Sequence, residues 1–282
     1  MYKLAIENEY GDKLELTNNP DYDVVKVDGL NPAPGEINSI AIAGFDGAIF
    51  NSSRIQSRNI VIYLNIHFPI EENRIALYKY IQVKRYIKVY YENEHRKVYC
   101  EGYVETFEND LFGMTQQPQI SIICPDPFWK AEEEFNINFS DIVSLFEFPF
   151  AIPSGGIPFS QIRRLTTEYV NIGEVTSGAI IKFRATADGI TDPTFYNFTT
   201  NKYIGVNFTM QAGDVITINT QQGHKGIKLL RGGVKTNILA DRKAGSSWVD
   251  FKPGENEISY DASSGQSYLV TSVVAVRRFE GV

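Results

Sequence analysis

Hydrophobic and polar residues alternate most cleanly between Arg58 and Phe68, where Ile60, Ile62, Leu64, Ile66 and Phe68 fall on one side and Asn59, Val61, Tyr63, Asn65 and His67 on the other. A period of two predicts a strand with one buried face and one mixed face open to water or a partner. Pro69 ends it, and Glu71, Glu72 and the spacing of Ile75, Tyr78 and Ile81 predict a helix over 71–81, with acidic residues suited to its first turn. Leu4 and Ile6 followed by Leu14 and Leu16 predict a short hairpin around Tyr10-Gly11-Asp12. The run from Asp28 to Glu36 is rich in turn formers and reads as a loop, and Ile37–Ala43 reads as a strand closed by Gly44-Phe45-Asp46-Gly47. Residues 85–91 and 96–107 predict a second hairpin about Glu92–His95, with Val98, Cys100, Gly102 and Val104 inward and Tyr99, Glu101, Tyr103 and Glu105 outward.

The strand-like run Ile120–Cys124 stops at Pro125-Asp126-Pro127, because each proline removes a backbone donor and fixes φ. Phe128 and Trp129 leave that turn as two large aromatics that need burial. Residues 131–167 lack periodicity and read as a linker, with Phe148 and Phe150 placed to dock along a domain surface. Short strands are predicted thereafter at 179–185, 202–210, 214–220, 226–230, 248–251, 257–260 and 268–277, separated by turns such as Pro253-Gly254-Glu255-Asn256. Many short strands without a helix predict an antiparallel β-sandwich. The expected organisation is a domain over 1–130, the linker, and a sandwich domain over 168–282.

Composition narrows the function. The 282 residues include 16 Tyr and 18 Phe, types that favour strands and interfaces, and the net charge of −7 excludes a general nucleic-acid binder, which needs clustered Lys and Arg. The N-terminus reaches Glu7 before an apolar core forms, so no secretory leader is expected, and no run approaches the roughly 20 apolar residues of a membrane helix. Cys100 and Cys124, the only cysteines, read as buried thiols, with a disulfide left open.

Candidate chemistry is sparse. His67, His95 and His224 stand apart, with no metal-ligand spacing, and neither a phosphate-binding glycine loop nor a nucleophile elbow occurs. Glu101 and Glu105 suit a solvated strand face better than an acid–base pair, and no catalytic residue, cofactor or metal is expected. Tyr203 and Trp248 are candidate sugar platforms, although a Trp beside Val249 and Phe251 is better explained as core.

A set of motifs distributed along the chain is more specific. It comprises Asp28-Gly29-Leu30, Gly44-Phe45-Asp46-Gly47, Cys124-Pro125-Asp126-Pro127-Phe128-Trp129, the run Phe146–Pro153, Val170-Asn171-Ile172-Gly173-Glu174, Pro253-Gly254-Glu255-Asn256 and the closing Arg278-Phe279-Glu280-Gly281-Val282. Together they resemble the distal tail proteins of long-tailed phages. The resemblance implies a mainly β fold: an N-terminal split β-barrel with one α-helix, as in tail-tube proteins, and a C-terminal galectin-like antiparallel β-sandwich. It implies a structural virion protein of the phage tail tip, assembled in the host cytoplasm as a homohexameric ring between tail tube protein and a tail-associated lysin or tail-tip protein. Receptor-binding proteins are further implied neighbours, with DNA passing through unbound and no membrane insertion. Some relatives carry inserted sugar-binding modules, so the alternative is a carbohydrate-binding receptor-recognition module. On the ring reading, Arg58, Tyr63, His67, Phe128, Trp129, Phe148 and Phe150 are the candidate interface or domain-anchor residues.

Overall fold

The computed structural model describes residues 2–44, 46–113, 115–139 and 166–282. The chain divides into two compact units, one formed by Met1–Glu133 with Arg278–Val282 and the other by Glu134–Arg277.

The first unit contains β1 (Lys3–Asn8), β2 (Lys13–Glu15), β3 (Tyr22–Asp28), β4 (Gly35–Ala41), β5 (Ala48–Ile55), β6 (Arg58–Ile66) and α1 (Ile70–Leu77). These are followed by β7 (Tyr86–Glu92), β8 (Lys97–Glu108), β9 (Gln119–Cys124) and β10 (Trp129–Ala131). Its antiparallel sheet runs β2-β1-β7-β8-β9-β6-β3, and β10 pairs with β8. The inward side of β6, Ile60, Ile62, Leu64 and Ile66, joins Ile87, Val89, Val98, Cys100, Ile120 and Ile122 in one core. Each such side chain contributes roughly 1.5–3 kcal/mol by leaving water. Gly102 is required where β8 passes β9, since a Cβ there would lie 2.7 Å from the Ile123 carbonyl oxygen and 2.8 Å from Cys124 Sγ.

The helix ends at Leu77, short of the expected Ile81, and shows the core a different face: Asn73 and Leu77 are buried, while Ile75 and Tyr78 are exposed. Leu77 and Ile81 both enter the core, but Ile81 does so from the turn after the helix. The apolar spacing therefore marked the burial of Ile81 and misplaced the stripe. Strand β3 went unrecognised because its sequence, YDVVKVD, alternates poorly across a bulge between Val24 and Lys26.

The second unit contains β11 (Phe135–Asn138), β12 (Thr166–Asn171), β13 (Ala179–Ala185), β14 (Ile190–Thr191), β15 (Thr194–Asn197), β16 (Lys202–Gly205), β17 (Thr209–Met210) and β18 (Val215–Asn219). After them come β19 (Gly226–Arg231), β20 (Val234–Asn237), β21 (Gly254–Asp261) and β22 (Leu269–Ala275). A six-stranded sheet, β11-β22-β13-β18-β19-β20, and a four-stranded sheet, β12-β21-β15-β16, share one core that includes Ile181, Phe183, Ile216, Val273, Phe195, Ile258 and Tyr260. The chain then re-enters the first unit as β23 (Arg278–Phe279), paired with β10.

Three local expectations change here. The stretch read as a linker, 131–167, begins with the last residue of β10, contains β11, which pairs with β22 from Phe135↔Ala275 to Asn138↔Ser272, and ends in the first residues of β12; its residues 140–165 lie outside the described residues. Residues 202–210 are two strands, divided where Val206 bridges to Arg242 and Asn207 hydrogen-bonds to Asp241. Residues 248–251 form no strand: Val249 and Phe251 are fully buried from an irregular segment that touches the rest by a Ser177↔Phe251 bridge. Burial alone produced the strand-like pattern. Two of the quoted motifs are turn devices. Buried Asn256 accepts from Lys252 N–H and donates to the Lys252 and Gly254 carbonyls, and buried Asn171 accepts from Gly173 N–H and donates to the Phe251 carbonyl.

Candidate functional site

Arg58 begins β6 and is almost wholly buried, at 1% exposure, and no ion pair joins it to a carboxylate among the described residues. Its guanidinium donates instead to four backbone carbonyls, those of Pro127 (2.6 Å), Asn31 (2.5 Å), Glu280 (2.5 Å) and Gly29. A planar fork with five donors can satisfy diverging carbonyls in this way, which a lysine cannot. Burial lowers the Arg58 pKa from its ordinary value, yet the dipoles of four carbonyls supply the negative surroundings that a counter-ion would. The guanidinium lies 5.4 Å from the ring centre of Trp129, whose exposure is 0%. Gly29, at φ +86°, admits the approach: a Cβ there would stand 2.1 Å from the Asn59 carbonyl oxygen.

Two further arginines hold the chain's end in the same place. Arg96 donates to the Gly281 carbonyl at 2.5 Å and lies over the Phe279 ring, while Arg278 pairs with Asp126 and covers the Phe128 ring at 4.5 Å. The double-proline turn is thereby tied to residues more than a hundred positions away. Of the two aromatics leaving it, Trp129 is fully buried and Phe128 is half-buried. Cys100 and Cys124 are free thiols buried beside this cluster, with Cys100 Sγ donating to the Asp126 carbonyl at 3.6 Å, and burial together with the neighbouring Cys100 pushes the Cys124 pKa up.

The outward face of the same sheet carries tyrosines and carboxylates in a connected network. Tyr86 Oη donates to Glu101 at 2.6 Å, Tyr90 Oη donates to Glu7 at 2.8 Å, and Lys130 bridges Glu101 and Asp126. Glu101 is half-buried and not solvated as expected. Burial alone would raise its pKa, but hydrogen bonds from Lys130 and Tyr86 more than offset this and leave it lowered. Glu105 accepts from Ser121 Oγ at 2.9 Å. Both carboxylates are thus engaged in holding strands together. Tyr63 sits half-buried on this face with Lys26 over its ring, and exposed His67 pairs with Asp23 at 2.7 Å, so both candidates lie where β6 meets β3.

Strands β4 and β5 form a two-stranded ribbon that, among the described residues, pairs with no other strand. Ile37, Ile40, Ile49 and Phe50 on it are 58–72% exposed, and Ile42 and Ile55 are 42% and 40% exposed. An isolated hairpin is marginal in water at best, and an apolar one calls for a partner. No candidate residue was drawn from it. The available signal was a hairpin with an isoleucine-rich sequence but no third strand to cover it.

In the second unit Tyr203 lies beside Tyr196, which stacks on Phe198 with ring centres 5.9 Å apart. Trp248 packs against the core, with Lys225 and Arg242 held over its ring at 5.9 and 5.8 Å. Phe148 and Phe150 lie outside the described residues. Among the described residues no group of three or more His, Cys, Asp or Glu could hold a metal ion, and no helix is long and apolar enough to cross a membrane.

Comparison with known proteins gives this architecture its context. Residues 10–124 match the model of a phage tail protein RIFT-related domain, and residues 172–272 match a siphovirus-type tail component, C-terminal domain. The chain belongs to the siphophage distal tail protein family. It is similar in structure to the SPP1 Dit protein, described as a paradigm of hub adsorption apparatus in Gram-positive-infecting phages, with a TM-score of 0.69 and 14% identity over 98% of this chain and 99% of that one. It also matches a chain of the phage P2 baseplate in its activated conformation with calcium, at a TM-score of 0.59 and 12% identity over 100% of both chains. A search of curated proteins gives no match. The mainly β fold, with one α-helix among the described residues, is that of the family, and the protein is a structural component of the phage tail.

Proposed function

We propose that this distal tail protein is the hub of the tail tip, closing into a hexameric ring through its first unit and joining the tail tube to the tail-tip or tail-associated lysin protein. The observation that carries the reading is the unpaired β4–β5 ribbon, whose exposed isoleucines and phenylalanine require burial by another chain. A cyclic contact of this kind joins different surfaces on adjacent copies and closes without leaving an edge. In this reading residues 1–130 form the ring, 168–282 the outer sandwich, and Tyr63 and His67 at the β3 margin face a neighbour. The protein carries no catalytic activity: Glu101 and Glu105 hold the sheet, and their Gln variants are expected to change stability and no turnover. The net charge of −7 per copy suits a ring that lets DNA pass without binding it.

Native mass measurement and single-particle imaging test the ring, with and without tail tube protein present. Six-fold particles are expected. A protein that stays monomeric under both conditions overturns the proposal. The Tyr196–Phe198 stack beside Tyr203 supports a second reading, a glycan-binding receptor module. A persistent monomer that binds host-surface sugars would favour it.

A further inference from the structure

The second unit separates its charges between its two sheet faces. On the six-stranded sheet, register brings Ser272, Lys182, Thr217, Lys228 and Asn237 into one row across five strands. Arg184 and Lys235 occupy the neighbouring row, joined through Val215 and Leu230. All four cations are exposed, and the outward positions of that sheet include no Asp or Glu. Adjacent strands lie about 4.8 Å apart, so Lys182 and Lys228 present two charges roughly 10 Å apart.

The four-stranded sheet is the converse. Its outward positions include Glu168, Glu255, Glu257 and Asp261 and no Lys or Arg. Glu168 and Glu257 stand directly opposite one another in the β12–β21 ladder, an arrangement of like charges that is unfavourable unless a cation approaches. The ion pairs described within this unit are Lys202–Asp250 and Arg231–Asp214, neither of which uses any of these eight residues. In a chain of net charge −7, a sheet face whose four cations have no ion-pair partner among the described residues and which carries no acid marks a surface with a partner of opposite sign.

We infer that the partner is a second copy of this chain: the Lys182/Lys228 face of one sandwich docks on the Glu168/Glu257 face of the next. Such a contact is heterologous, so each copy gives one face and receives the other. Closure of the series rests on the ring reading; the contact itself does not. Being exposed and charge-driven, it weakens as salt shortens the screening length from about 10 Å at 0.1 M to about 3 Å at 1 M.

Two full-length variants, Lys228→Cys and Glu257→Cys, are mixed and oxidised mildly with glutathione disulfide; native Cys100 and Cys124 are buried and do not compete. The mixed disulfide is expected to exceed either self-disulfide several-fold, and 1 M salt to abolish the excess. Lys182→Glu with Lys228→Glu places acid on both faces and is expected to lower assembly. Adding Glu168→Lys with Glu257→Lys to the same chain reverses both partners of the Lys182/Lys228–Glu168/Glu257 contact and is expected to restore it in part, which a folding defect would not. Rings that form in every variant without the mixed disulfide overturn this contact and leave the ring standing. A mixed disulfide without rings leaves the contact standing and removes the ring. Monomers without any disulfide excess overturn both.

Discussion

Two places in the first unit invert the usual division between inside and outside, and they do so in opposite directions. Arg58 is a cation sealed in the interior, whereas Ile37, Ile40, Ile49 and Phe50 are apolar side chains on an exposed ribbon. The inversion at Arg58 is resolved within the chain, because carbonyls from Gly29, Asn31, Pro127 and Glu280 converge on its guanidinium and Trp129 covers it. Nothing within the described residues of the ribbon's own sheet resolves the other, since β4 and β5 pair only with one another. On the proposed reading, the difference separates residues that hold the monomer together from residues that another chain covers. Substitutions at the first place should cost stability, and substitutions at the second should cost assembly.

The largest effect is expected for Trp129→Ala, which removes a fully buried aromatic and uncovers Arg58. Thermal unfolding should show a loss of about 3–5 kcal/mol, as for other buried Trp and Phe truncations. Hydrogen exchange should place the loss in the first unit. An unchanged midpoint would show that Trp129 is no anchor. Arg58→Met comes next, because it keeps a long apolar stem but takes the shared donor from four carbonyls, and about 3 kcal/mol is expected from the loss of hydrogen bonds to a charged group. Arg58→Lys should recover only part of that loss, since an ammonium cannot reach four diverging acceptors with three donors. Equal stability of the Lys variant and wild type would overturn the fork argument.

A smaller effect comes from acid and contrasts the carbonyl-held Arg58 with an ordinary ion pair in which only the carboxylate is buried. Hydrogen bonding to Arg231 holds the Asp214 carboxyl below its usual range, helped by the Gln211 N–H. Its folded pKa is depressed, so its stabilising contribution is complete above the ordinary aspartate value of about 3.9 and is lost as pH falls through the lower folded value. Stability of the second unit should decline in that window, and Asp214→Asn should flatten this part of the profile. A profile for the variant that parallels wild type would remove Asp214 from the account. The smallest effect on the monomer is expected at the ribbon. Ile40→Asp with Phe50→Asp should shift unfolding by less than about 0.5 kcal/mol, as exposed substitutions do, while abolishing six-fold particles in images. Rings that survive both changes would place the ring contact elsewhere.

Periodicity and punctuation carried much of the fold. The inward set Ile60, Ile62, Leu64 and Ile66 and the stop at Pro125 and Pro127 were legible, because a strand alternates every second residue and proline cannot extend a ladder. Errors fell where burial came from irregular chain, as at Val249 and Phe251, or where a helix was too short to display its period, as at Ile70–Leu77. The burial of Trp129 was legible from its place after the turn. Arg96 and Arg278 were missed, because nothing local distinguishes an arginine that grips a distant backbone from one in solvent. The ribbon was missed as a site for a related reason: its pattern predicts a hairpin but does not reveal that no third strand arrives.

The sequence by itself determined which residues share a face, where strands must end, and a chain assembled from β-rich parts that resembles a phage distal tail protein. Only the tertiary structure decided what lies against each face. It returned residues 278–282 to the first unit, brought Glu280 to Arg58 across more than two hundred residues, and left β4 and β5 without a third strand among the described residues. It also gathered Lys182 and Lys228 on one side of the sandwich and Glu168 and Glu257 on the other. The physical reason is that backbone geometry fixes local periodicity, whereas burial and charge pairing are settled by segments distant in sequence that the fold brings together.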